Sequence, residues 1–329
     1  MKVLIATAMY PTPENPAYGS FIRTQVQSLE QIGVEIELLV FAARPHQLMY
    51  PKGIIQLRRR LASNRIDLVH AHFSYVGMAA RTQWQAPVVV TYHGDDLLGT
   101  VGNMKGAHTR CSRLIVAAGQ ILGQYADAAI VQTQEMAAKL KSEENVYIIP
   151  HEVDFELFRP INREDARRVL GLQPGKKYLL FAADPRTPVK NFPLARAIAD
   201  HLSQQEPDLE LLVVYKETQD CLALYMNACD ALVFPSFQEG SPNVVKQAMA
   251  CNLPIVATDV GDVQEVIGAT PGCYVCKPDI TAFAARLKDI LQHRPRTCGR
   301  EHIRHFDHHT VARKVLHVYE QTLKKHQSR

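Results

Sequence analysis

The sequence predicts two doubly wound α/β domains that face each other across a cleft. Short apolar runs rich in β-branched residues alternate with amphipathic stretches along the whole chain. Alternation of this kind builds a parallel sheet covered by helices on both faces. It is interrupted once, at Val153–Pro160, a short connection that carries Phe155 and Phe158. The length of 329 residues also exceeds the roughly 100–200 residues of one ordinary domain. The expected domains are therefore 1–153 and 154–329.

In the first domain Val3–Thr7 reads as a buried strand. Ser20–Ile32 reads as a helix with Phe21, Ile22, Val26, Leu29 and Ile32 on one face, closed by Gly33. Further strands are expected at Val34–Phe41, Asp67–His72, Pro87–His93, Ala128–Thr133 and Val146–Pro150. In the second domain they are expected at Tyr178–Asp184, Leu209–Lys216, Leu232–Ser236, Pro254–Asp259 and Cys273–Cys276. The chain ends in a helix at 307–325 with Val311, Val315, Val318 and Leu323 as apolar positions, a candidate to pack back on the first domain. Ligands of such folds sit beyond the carboxyl ends of the strands, so chemistry is expected in the cleft.

Composition narrows the function classes. Hydrophobic residues make up 47% and charged residues 21%, as in an ordinary globular protein. A net charge of +4 spread over the chain does not argue for nucleic acid. The one dense basic run, Arg58, Arg59 and Arg60, reads as a solvated helix face, with contact to anionic lipid head groups as the alternative. Seven cysteines without framework spacing fit a reduced, cytoplasmic protein. Cys273 and Cys276 read as buried strand thiols, since no second pair completes a zinc site. His302, His305, His308 and His309 read as solvated surface rather than a metal cluster. The first residues are too briefly apolar for a signal peptide. No run approaches the ~20 residues of a membrane span, so any membrane contact would be peripheral, at the inner face.

The most informative stretch runs from Pro235 to Ala257 as strand, loop, helix and strand. Ser241 suits an N-cap, Pro242 the first helical position, and Asn252 a left-handed helix end. Free N–H groups near Asn243, Val244 and Val245 would face the cleft and suit an anion such as a diphosphate. Glu239 stands just before them, either to accept hydrogen bonds from sugar hydroxyls or merely to favour the helix dipole. No Asp-x-Asp is present to hold a metal against a diphosphate, so neither metal nor cofactor is expected.

This stretch resembles the signature of glycosyltransferase family 4, whose members have the GT-B fold. The family pattern is a Glu, seven residues, a second Glu, then Ala-x-Ala and a strand. Here the first Glu is Glu239 and the second position is Gln247. The resemblance implies that Glu239 contacts the donor sugar and that position 247 meets the ribose hydroxyls, with Gln247 keeping the hydrogen bonding but not the charge. Asp67-Leu68-Val69-His70-Ala71-His72 and Thr91-Tyr92-His93-Gly94-Asp95-Asp96 resemble further family segments, which gives His93 a place at the donor sugar. Gly19 matches the glycine that lets a loop approach the donor phosphate, together with Gly240 and the helix start at Ser241 and Pro242. In Asp184-Pro185-Arg186-Thr187-Pro188-Val189-Lys190, Arg186 and Lys190 resemble the cations that neutralise the diphosphate, with Arg186 one residue off the usual spacing. Two glycines of the family pattern are replaced here, by Glu152 and Asp262. Loss of the first removes easy access to positive φ and implies a differently shaped hinge. Between Lys190 and Asp230 there is room for one strand only, where longer relatives build part of their nucleobase pocket.

The resemblance thus implies a retaining, metal-independent hexosyltransferase, with the acceptor on the first domain and the nucleotide-sugar donor on the second. The acceptor would be a glycan or lipid-linked hydroxyl in surface-polysaccharide or glycoconjugate synthesis. A non-catalytic sugar- or nucleotide-binding partner of another transferase is the alternative, kept open by Gln247, Glu152 and the short second domain. A dinucleotide-dependent oxidoreductase would need a G-x-G-x-x-G after a first strand, and neither domain supplies one.

Overall fold

A computed structural model describes residues 1–42, 48–141 and 144–328. Six strands form the first sheet: β1 (Lys2–Thr7), β2 (Glu35–Val40), β3 (Leu68–His72), β4 (Val88–Thr91), β5 (Ala128–Val131) and β6 (Val146–Ile148). Their order is β2-β1-β3-β4-β5-β6. Five form the second: β7 (Lys177–Phe181), β8 (Leu209–Val213), β9 (Ala231–Phe234), β10 (Ile255–Thr258) and β11 (Cys273–Cys276), in the order β11-β10-β9-β7-β8. Every pairing is parallel, with Val3 opposite Ile36 and Leu68, and Leu180 opposite Leu212 and Leu232. Strand order reverses between β1 and β3 and again between β7 and β9, and the carboxyl ends at these two switch points open the cleft.

Each sheet is apolar on both faces. On one side of the first sheet, Val3 and Ile5 pack with Ile22, Val26 and Leu29 of the Ser20–Gln31 helix. The same cluster holds Val311, Val315, Val318 and Tyr319 of the His308–Gln327 helix, so the end of the chain covers the first sheet rather than the second. The Val153 N–H donates to the Phe306 carbonyl at 2.9 Å where the two crossings meet. Phe155 and Phe158 are buried in the second core, and Arg300 donates to their carbonyls at 2.9 and 2.7 Å. The connection between the domains is thus pinned to the second one. Cys273 is buried and Cys276 half-buried on an edge strand, both as free thiols.

The 152 position needs no glycine. Among the described residues the non-glycine positions with positive φ are Phe73, Asn191, Lys216, Asn252 and Arg294, and Glu152 is not one of them. Asn252 does end its helix at φ 55°.

Candidate active site

A cavity of about 610 Å³ lies between the carboxyl ends of the two sheets. Met9, Gly19 and Phe21 line it from the first domain, and Asp184, Lys190 and Tyr215 from the second. Gly19 has φ 71°, and a Cβ there would stand 2.8 Å from the Met9 carbonyl carbon and oxygen. Only glycine lets the loop after β1 fold this close to the start of the Ser20–Gln31 helix.

At the second-domain wall, two loops are tied together. The Phe237 N–H donates to the Val189 carbonyl at 2.8 Å, and the Asn191 amide to the Pro235 carbonyl at 3.1 Å. This places the Lys190 Nζ 2.7 Å from Glu239 Oε1. Arg186 does not join them. Its guanidinium is 71% exposed and bonds both carboxylate oxygens of Asp184, which is itself held down to about 2 chiefly by that bond. The side chain turns outward, with its guanidinium 5.9 Å from the centre of the Tyr215 ring.

The helix after Glu239 spans Asn243–Ala250 and begins one residue later than the sequence suggests. Pro242, not Ser241, is the N-cap, and no side chain caps it. The Ser241 hydroxyl instead donates to Asp262 Oδ2 at 2.5 Å. The Val245 N–H bonds the Pro242 carbonyl, and the Val244 side chain packs on the second core. Gln247 donates to the Gln219 amide oxygen at 2.9 Å. These two and Asn243 line a smaller cavity of about 160 Å³ with Ser20, Thr24 and Glu152, so Gln247 sits beside the main cleft rather than in its mouth.

Three glycines stack where the domains meet. A Cβ on Gly94 would stand 3.5 Å from the Gly240 N, and one on Gly261 only 1.9 Å from the Gly240 O. Gly240 is therefore held between a loop of each domain, and Glu239 is positioned by that contact. The replaced second glycine of the 259–265 loop, Asp262, has φ −99° and needs no glycine. Across the same boundary Gln238 donates to the Gly99 carbonyl at 2.7 Å.

His93 follows β4 and is part of a chain of imidazoles. Its Nε2 lies 3.1 Å from His72 Nδ1 and its Nδ1 lies 3.0 Å from His151 Nε2. His70 bonds the Tyr319 hydroxyl at 2.6 Å and Thr91 at 2.7 Å. Burial holds His72, His93 and His151 well below the ordinary imidazole value, and for His72 and His93 neighbouring histidines push the same way. For His151 the adjacent Lys246 is the second cause. Among the described residues His72 Nε2 is buried without a partner. A buried lone pair is more readily left alone than a buried N–H, which favours His72 donating to His93 and His93 donating to His151. Both ring nitrogens of His93 are thus engaged. His93 also borders a further cavity of about 300 Å³, lined as well by Tyr50, Tyr75, Asp95 and Ile115.

Sequence reading misses Lys246, which is fully buried. It donates to the His151 carbonyl at 2.8 Å and to Ser241 Oγ at 3.0 Å. Burial pushes its ammonium down to about 8, against the pull of Asp262 and Glu152. Burial pushes the Glu152 carboxyl up to about 7, while a bond from Ser28 to its Oε1 at 3.1 Å opposes that. One charged centre therefore ties the hinge to the loop that carries Glu239.

Residues 2–157 match the family described as Glycosyltransferase Family 4, and residues 178–293 that described as Glycosyl transferases group 1. A Bacillus subtilis protein provisionally assigned as a teichuronic acid biosynthesis glycosyltransferase is 26% identical, over 82% of this chain and 83% of its own length. A D-inositol 3-phosphate glycosyltransferase of Pseudarthrobacter chlorophenolicus is 32% identical over 65% of this chain, which spans only 59% of that protein. Among solved structures, a sucrose-phosphate synthase of Thermosynechococcus elongatus superposes with a TM-score of 0.78 at 18% identity, covering 99% of this chain and 100% of that one. The Anabaena protein HepE, solved with UDP, gives 0.68 at 15% identity, over 98% and 100%. At such identities the likeness is one of fold. Two family matches that together span both sheets, joined to this architecture, settle the assignment: the chain belongs to the family 4 glycosyltransferases and is a transferase of the two-domain GT-B fold.

Proposed function

We propose that the interdomain cleft binds a nucleoside-diphosphate hexose and transfers the sugar, with retention, to a hydroxyl of a glycan or lipid-linked acceptor in surface-polysaccharide or glycoconjugate synthesis. The observation that carries this is the Lys190–Glu239 pair, 2.7 Å apart at the wall of the cleft cavity. Diphosphate would take over the Lys190 ammonium, and the freed Glu239 carboxylate would accept hydrogen bonds from sugar hydroxyls. Arg186, held at the rim, would join only by exchanging Asp184 for a phosphate. The bond from the anomeric carbon to the β-phosphate oxygen breaks with its electrons on the phosphate. The acceptor oxygen bonds the same carbon on the same face, and its proton passes to the departing phosphate. Charge grows on the diphosphate as this happens, and Lys190, held at the cleft wall before the reaction, would meet it. The reading needs no metal. It agrees with the UDP complex of HepE as a donor class, and with the teichuronic acid assignment of the Bacillus relative as an acceptor class. The test is the anomeric configuration of the transfer product by NMR, with chelator present. Retention, lost with all transfer in Glu239→Ala, is expected; an inverted product refutes the mechanism.

A further inference from the structure

Helices Met49–Ser63, Ser74–Ala80 and Ser112–Tyr125 cover the second face of the first sheet. None of the three contains an Asp or Glu. From 38 to 126 the sequence holds ten Lys and Arg against three Asp and Glu, a net +7. With +4 for the whole chain, the remainder carries −3. Glu37 and Asp127, just outside this span, pair with Arg60 and Arg81 and bring its balance to +5, and the three carboxylates within it do not neutralise the rest. Asp96 is buried and accepts N–H bonds from Ser74 and His93, Asp67 accepts the Lys2 N–H, and Asp95 lies in the cavity beside His93.

Apolar exposure concentrates on the same face. Six large apolar side chains are more than half exposed among the described residues, and five of them lie on these helices or the turn after them: Ile55, Trp84, Leu114, Ile121 and Tyr125, at 51–73%. Leu114, Ile121 and Tyr125 are spaced to share one side of their helix, and the buried Leu122 lies beside them at the inner edge of that side. Trp84, Ile121 and Tyr125 border an open groove of about 370 Å³, with Arg81 stacked 4.0 Å over the Trp84 ring. Isolated exposed apolar residues need no explanation, but a contiguous patch flanked by cations does. Among the described residues no helix is long and apolar enough to cross a membrane.

The same three helices supply Tyr50, Tyr75 and Ile115 to the cavity beside His93. We infer that this face docks the enzyme on an anionic lipid surface, with Trp84, Leu114, Ile121 and Tyr125 entering the headgroup boundary and the cations meeting the phosphates, so that a lipid-linked acceptor reaches the cavity without leaving the bilayer. This deepens the lipid-linked form of the acceptor reading above.

Trp84 is the only tryptophan in the chain, so its emission reports on the patch. The full chain is titrated with phosphatidylglycerol–phosphatidylcholine vesicles and with phosphatidylcholine vesicles alone. A blue shift with co-sedimentation on the anionic vesicles, weakened by salt, is expected. Both Leu114→Ser/Ile121→Ser and Arg59→Glu/Arg113→Glu should reduce partitioning by at least about tenfold while keeping donor binding. No shift with anionic vesicles, equal response to both vesicle types, or unchanged partitioning of the variants overturns the inference. So does a concentration-dependent shift without lipid accompanied by dimer sedimentation, which would make a second copy the occupant. Vesicle binding is read without donor, so it fails independently of the donor-site reading.

Discussion

Replacing Gly261 by alanine separates backbone strain from displacement of the site. Gly261 has φ +57°, and an added Cβ would lie 1.9 Å from the Gly240 carbonyl oxygen, 2.9 Å from its carbon and 3.0 Å from the Glu239 oxygen. These are backbone atoms and cannot rotate away. Restoring an ordinary contact above 3.0 Å moves the Gly240 carbonyl by about 1 Å. Gly240 is already bounded by Gly94 and by Met136 Sδ, 3.6 and 3.2 Å from its own Cβ position, so the shift passes to Glu239. A misplacement of about 1 Å can cost on the order of 100-fold in rate. The control is Gly171→Ala. Gly171 has φ +66° with nothing within 4 Å of its Cβ position, so alanine there suffers only left-handed strain, about 1–2 kcal/mol. Urea unfolding and transfer rate are measured on both. Gly171→Ala should lose roughly that stability and Gly261→Ala more, because its backbone clash adds to the strain, and only Gly261→Ala should lose transfer. Equal activity of the two variants would refute the reasoning that the glycine stack positions Glu239.

Lys190→Ala should weaken nucleoside-diphosphate binding by at least about tenfold by calorimetry, since a charge-assisted contact is removed, whereas Arg186→Ala should change it less. Gln247→Glu should be tolerated, because the Gln219 amide can turn to donate to the new carboxylate; a loss of nucleotide affinity would contradict this. The acid limb of stability follows from five groups. His70, His72, His93 and His151 have folded values below the ordinary imidazole value, so the unfolded chain takes their protons first and stability falls as pH drops below about 6.5. Glu152, raised to about 7, acts oppositely: the folded chain holds its proton, which stabilises as pH falls from 7 towards the ordinary carboxyl value. In Glu152→Gln that opposing contribution is lost, so stability should fall more steeply below about pH 6.5 than in the unmodified chain; urea midpoints across pH check it, and a shallower slope in the variant refutes it.

Much of the fold is legible in the sequence. All eleven strands lie where apolar β-branched runs place them, because buried parallel strands read as continuous apolar stretches. Their ends are overread: His93, Thr133 and Ser236 continue such runs but belong to loops at the cleft, where the chain leaves the ladder to build the site. The single strand between Lys190 and Asp230 is β8, as length alone requires. The site is less legible. Glu239 and Lys190 pair at the cleft wall while Arg186 bonds Asp184 at the surface, and neither contact is legible because spacing cannot tell which way a loop side chain turns. The alternation of His70 and His72 along a strand places both on one face, a signal that could have suggested the histidine chain. The neighbouring His70–Tyr319 bond depends on the last helix crossing back, 249 residues away. Nothing in the sequence marks Lys246, and only tertiary packing reveals that it is buried between hinge and loop.

The most direct test is calorimetric titration with UDP, GDP, ADP and their common hexose conjugates, in chelator, on the unmodified chain and on Lys190→Ala. Tight binding of one nucleoside diphosphate and its sugar conjugate, weakened by at least about tenfold in the variant, is the predicted result. A folded chain that binds none of them, or one whose binding ignores Lys190, would contradict the placement of the donor in this cleft.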